Sequence, residues 1–150
     1  MHQFLQALQK DHEEVKDILS QLEGTSEGAV KSKEKLFLKL KQELIPHMKV
    51  EEKHFYPGIG ENKELRQIAL EAIEEHHVAE TILKELDSLG KDKENWSAKM
   101  AVFKEILEHH IEEEEDEIFD VAGEALDNDQ LNRMMESFQS DKDKIKQKIK

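Results

Sequence analysis

Eight histidines stand in this chain of 150 residues, and no cysteine does. Histidine is the commonest protein metal ligand and titrates nearest neutrality, so the first question is which of the eight face inward together. Four His–Glu pairs have the i, i+4 spacing that stacks two side chains on one helix face: His47–Glu51, His76–Glu80, His109–Glu113 and His110–Glu114. Eight His and 25 Glu scattered over 150 residues would give about one such pair. Spacing alone is therefore weak, and internal registration has to decide among the four.

A shift of 64 residues lays Leu5, Leu8, His12, Val15, Ile18, Leu19 and Leu22 on Ala69, Ala72, His76, Ala79, Ile82, Leu83 and Leu86. Every apolar position meets an apolar one, and His meets His. A shift of 65 would choose His77, but it sets Val15 on Glu80 and Leu22 on Asp87. A shift of 63 lays Phe37, Leu40, Leu44, His47, Met48, Glu51, Glu52, Phe55 and Tyr56 on Met100, Phe103, Leu107, His110, Ile111, Glu114, Glu115, Ile118 and Phe119. A shift of 62 would select His109–Glu113 but puts Phe37 on Lys99 and Phe55 on Glu117. The chain thus reads as a duplicated helical hairpin, with His12, His47, Glu51, His76, His110 and Glu114 directed at one level of a shared core.

Four imidazoles and two carboxylates in an apolar interior are costly without a partner, and no inward Lys or Arg is expected on these stripes to neutralise them. Two metal ions would compensate them: two His each, His12 with His47 and His76 with His110, with Glu51 and Glu114 as bridges. Imidazole and carboxylate without thiolate suit iron, and positions remain for a solvent bridge and a small exogenous ligand. The competing reading is hydrogen-bonded core histidines and a solvated face for the glutamates. The preservation of all six under two shifts argues against it. Glu80 stays open between an added ligand and a rim residue. His2, His54, His77 and His109 are expected at the surface or behind the ligands.

The elements that position these residues follow from period and punctuation. Helical stripes run over about Gln3–Leu22, about Val30–Phe55, from near Asn62 (an N-cap) to Gly90 (a C′ residue), and from near Asn95 to Phe119 or beyond. Breaks are expected at Glu23–Gly28, Tyr56–Gly60, Gly90–Glu94 and Gly123–Asn128. Pro46 should kink the second helix just before His47. Asp127–Gln130 has a capping-box pattern opening a short extra helix over about 128–149, whose end from Lys142 alternates charge and is expected to fray. The fold class is therefore all-α: an up-down-up-down four-helix bundle over about 2–125 with a C-terminal helix, one domain across 1–150.

Asp11-His12, His47-Met48-Lys49-Val50-Glu51-Glu52 with Tyr56-Pro57, His76, and His110 to Glu115 with Phe119 together resemble the hemerythrin-like HHE cation-binding domain, in its stand-alone bacterial form. The likeness spans about residues 2–125. It implies a non-haem di-iron centre, oxo- or hydroxo- and carboxylate-bridged, on the six residues named above. Members of that family carry or sense dioxygen, respond to nitric oxide, handle iron or repair iron–sulfur clusters. The oxygen carriers have a second His one turn after the third-helix His, where this chain has Glu80. Their fourth-helix carboxylate falls one residue later, at Glu115 here. Keeping i+4 in both hairpins is like the regulatory and repair branch. Cluster-repair members usually carry an added cysteine-containing N-terminal domain, and this chain has no cysteine. The expected partner is a small diatomic ligand, with peroxide- or oxygen-reducing catalysis and iron handling as the other readings.

Composition narrows the classes further. Lys plus Arg is 22 against 35 Asp plus Glu, for a net charge of −13, the wrong sign for a nucleic-acid binder. No apolar run is long enough to span a membrane, and Met1-His2-Gln3-Phe4 lacks the basic and apolar start of a secretory signal. No membrane or nucleic-acid partner and a cytoplasmic location are the expectations.

Overall fold

The computed structural model describes residues 1–150 and is all-helical. Helix α1 is Gln3–Glu23, and the His2 ring caps its start by accepting the Phe4 N–H at 2.9 Å. Helix α2 begins as Val30–Val50, passes through a π-helical turn at Glu51–Phe55 and ends as Tyr56–Gly60. Helix α3 is Arg66–Ser88. Helix α4 begins as Glu94–Glu113, passes through a π-helical turn at Glu114–Ile118 and ends as Phe119–Ala125. Helix α5 is Asn128–Gln147. In packing, α1 lies on α2 and α4, α3 on α4, and α5 on α2 and α1.

Several local expectations are corrected. Tyr56–Gly60 is the last stretch of α2 rather than a loop, and Gly123 lies inside α4. Asn62 caps a turn, accepting the Glu64 N–H at 2.9 Å, and α3 opens four residues later. Gly90 is not a left-handed C′ residue, since no residue has positive φ and α3 ends through the extended backbone of Leu89. Helix α2 continues through Pro46, and its irregular turn falls at Glu51. The Asp127–Gln130 capping box is formed in both directions. Beyond it, α5 does not fray at Lys142, because ion pairs tie Lys142 to Asp11 and Lys146 to Glu43.

The interior is split into two apolar clusters. One gathers Val15, Leu19, Phe37, Leu40, Leu83, Trp96, Phe103 and neighbours. The other gathers Phe4, Leu8, Phe55, Ile59, Ala72, Phe119, Leu131, Phe138 and neighbours. The second is where α5 docks: Phe138 meets Phe4 edge-on at 5.6 Å between ring centres. Along α1 the changeover falls at Asp11-His12, along α2 at His47–Glu51, along α3 at His76 and along α4 at His110–Glu114, so a polar layer separates the two clusters. Contrary to the expectation of no inward lysine, the stripe of α2 contains a buried one, Lys33, four residues before Phe37. It lies at the far end of the bundle, where its Nζ donates to the Glu27 carbonyl at 3.1 Å beside Trp96.

Candidate metal centre

The polar layer contains six of the seven sequence-selected residues. Glu51 and Glu114 are 0 % exposed, His76 1 %, His12 2 %, His47 3 % and His110 5 %. Their repeat neighbours His77 and His109 lie at the surface, pairing with Glu74 and Glu113. Glu80 is not brought into the layer; its carboxylate meets Lys49 Nζ at 2.6 Å near the rim.

Each hairpin contributes a pair of imidazoles that meet edge-on, Nε2 to Nε2. His12 Nε2 and His47 Nε2 are 3.1 Å apart, and His76 Nε2 and His110 Nε2 are 3.2 Å apart. The carboxylates stand between the pairs: Glu51 Oε1 is 3.1 Å from His47 Nε2 and 3.4 Å from His76 Nε2. Glu114 Oε1 is 3.3 Å from His12 Nε2, and its Oε2 is 3.3 Å from His110 Nε2. Two four-residue groups result, His12–His47–Glu51–Glu114 and Glu51–His76–His110–Glu114, sharing both glutamates.

A surrounding ring of carboxylates fixes which nitrogen faces inward. A carboxylate only accepts, so each Nδ1 donates: His12 to Glu115 at 2.8 Å, His47 to Asp11 at 3.0 Å, His76 to Glu52 at 3.0 Å and His110 to Glu75 at 3.2 Å. This is the arrangement that orients metal-ligating imidazoles, and it leaves every Nε2 aimed at the layer. The ring obeys the same shifts as the ligands, since Asp11 plus 64 is Glu75 and Glu52 plus 63 is Glu115. Those two matches were the signal for residues that ligand spacing alone had missed. The π-helical turns also obey the shift, starting at Glu51 and Glu114. Pro57 follows only the first turn, so proline is not their common cause. The feature they share is an inward glutamate, and π turns occur frequently at functional sites.

The repeat is broken at one pair. Tyr56 and its counterpart Phe119 both pack against the layer. Phe119 stacks on the His12 ring at 5.9 Å. Tyr56 carries a hydroxyl that donates to Glu114 Oε2 and stands 3.4 Å from His76 Nε2 and 3.5 Å from His110 Nε2. Burial, then the Glu114 and Glu51 charges, push the Tyr56 hydroxyl well above its ordinary range, so it remains a donor.

The electrostatics are those of negative sites short of cations. Burial lowers the pKa of each of the four imidazoles, but the carboxylates around them outweigh it and hold all four up. For His110, Glu114 and Glu75 raise it to about 10. Burial raises Glu114, but its partners Glu51, His110 and His12 bring it well below the carboxylate range. Both Glu51 oxygens and Glu114 Oε1 are nonetheless buried without a hydrogen bond. Orphaned buried carboxylate oxygens facing paired Nε2 atoms fit divalent or trivalent cations of the kind that imidazole and carboxylate share. A cavity of about 10 Å³, room for one molecule of water size, is lined by His12, His47, Glu51, His76 and His110 of the layer and by Val15, Leu44, Met48, Leu107 and Ile111.

Residues 3–122 match the model of the hemerythrin HHE cation binding domain, and the chain belongs to that family. Membership implies metal binding, of iron in particular, and the buried His/Glu layer could hold the metal. No curated protein and no solved structure matches the chain significantly. No helix is long and apolar enough to cross a membrane.

Proposed function

We propose that the chain holds two iron ions between its four long helices, which alternate in direction, and that it binds or senses a small diatomic ligand there. The observation that carries this reading is the sharing of Glu51 and Glu114 by both four-residue groups. A single-metal site would need one such group, whereas two groups with common carboxylates suit a bridged pair. His12 and His47 would hold one ion, His76 and His110 the other. Iron would supply redox electrons and an open coordination position.

The remaining residues argue for a small ligand. The cavity is lined by His12, His47, Glu51, His76 and His110 of the layer together with aliphatic and Met side chains, and it admits about one water-sized molecule. No nucleophile or phosphate loop adjoins it. Tyr56 supplies the hydroxyl next to the His76/His110 half, a donor suited to a polar diatomic. Phe119 keeps the other half apolar. The cytoplasm, which needs no cysteine pairing, is the proposed location.

The test is anaerobic reduction of the iron-loaded protein, followed by exposure to oxygen and, separately, to nitric oxide, with optical spectra throughout. A stable band that reverses on removing the gas supports binding or sensing. Rapid autoxidation with peroxide turnover would replace this reading by that of an oxygen- or peroxide-reducing enzyme.

A further inference from the structure

Helix α5 lies outside residues 3–122, which the family model matches. Three sets of ion pairs hold it to the bundle. Asp141 meets His54 at 2.7 Å and Lys53 at 3.2 Å, Lys146 meets Glu43 at 3.1 Å, and Lys142 meets Asp11 at 2.6 Å. Only Lys142 reaches the ring behind the imidazoles. Asp11 is 4 % exposed, and its two oxygens are divided: Oδ1 accepts Lys142 Nζ and Oδ2 accepts His47 Nδ1–H. Asp11 is also crowded, because ligand oxygens of Glu14 and Glu43 lie within 4.8 Å of its own. Without a cation, Asp11 would face two like charges and have no fixed orientation. Its repeat counterpart Glu75 has a side chain that is one-third exposed and forms no lysine pair.

We propose that Lys142 is a positioning residue for one half of the centre: it fixes Asp11, which holds the His47 ring, so that the His12/His47 half depends on the docking of α5 while the His76/His110 half does not. This rests on the two-metal reading above. Removal of residues behind a metal ligand typically weakens metal binding about 10–100-fold. Lys142→Met keeps the unbranched stem over Phe138 and removes the charge. In the iron-loaded full chain it should release one iron to a chelator about 10–100-fold faster, leave the other at the wild-type rate, and alter one of the two Mössbauer doublets. Asp11→Asn should reproduce that one-iron effect, and Lys142→Arg should restore the wild-type behaviour. Asp141→Asn loosens the same helix at its Lys53 and His54 contacts without unpairing a carboxylate beside Asp11, and should match wild type. A readout free of metal is the His47 ring in the chelated protein by nitrogen NMR. Its Nδ1–H should be held in wild type and Lys142→Arg, and exchange-broadened in Lys142→Met. Equal effects of Lys142→Met and Asp141→Asn, faster release of both irons, or an unchanged His47 ring would overturn the proposal. If wild type binds fewer than two metals, the two-metal reading falls, and the His47 ring still decides whether Lys142 positions it.

Discussion

Removing the metal should convert the centre from a metal site into a proton site, and the stability of the chelated protein should show it. In the metal-free layer, burial lowers the His110 pKa, but the Glu114 and Glu75 carboxylates outweigh it and raise it from 6.5 to about 10. The folded value is above the unfolded one, so this contribution is fully present below pH 6.5 and is lost as pH rises towards 10. That interval corresponds to roughly 5 kcal/mol for His110 alone, and the other three imidazoles shift in the same direction. For a chain of this size about 1 kcal/mol moves the thermal midpoint by roughly 2–4 °C. Between pH 6.5 and 9.5 about 3.5 kcal/mol of this is lost, so the chelated protein should melt about 7–14 °C lower at pH 9.5 than at pH 6.5, by these conversions. Metal competes with these protons, so the loaded protein should lose much less over the same range, and the two curves should converge as pH falls. The assay is a series of calorimetric melts with and without chelator, repeated on His110→Gln, which should flatten the chelated curve. A chelated protein that gains stability from pH 6.5 to 9.5, or loaded and chelated curves of equal slope, would refute the reasoning.

His76→Ala and His110→Ala should each impair metal binding at least tenfold, the lower end expected for a lost ligand shell, while His77→Ala and His109→Ala leave it unchanged in calorimetric titration. Tyr56→Phe should cost about 1.5–3 kcal/mol on denaturation, because the hydroxyl donates to the buried Glu114 carboxylate, and it should shift the optical spectrum of the loaded protein. Phe138→Ala should destabilise the chain by about 3–5 kcal/mol in urea melts, through the contact of α5 with Phe4.

Most of the polar layer was legible because duplication is a stronger signal than any single motif. His76 and His77 are chemically identical, and only the apolar partners carried along by each shift tell which is inward. The same shifts also held the ring of Asp11, Glu52, Glu75 and Glu115, which matching only the ligands overlooked. Glu80 was not decidable, because i+4 from His76 places it at the right face but cannot show that Lys49 holds it at the rim. The π turns were hidden for another reason. Period counting treats a helix as regular, and one extra residue per turn over five residues leaves the stripe nearly unchanged. Tyr56-Pro57-Gly58 read as a loop from local propensity, yet tertiary packing keeps it helical, with Gly58 giving room to the Met134 side chain. The sequence places Lys142 in a fraying tail because its partner Asp11 is 131 residues away, beyond any local pattern.

Metal counting on paired variants tests the proposed bridged pair of irons most directly. Iron-replete wild type should hold about two irons per chain, the number its two donor groups would take. Because both groups share Glu51 and Glu114, Glu51→Ala and Glu114→Ala should each lose both irons together. One iron per chain in wild type, or loss of a single iron in either variant, would contradict the account.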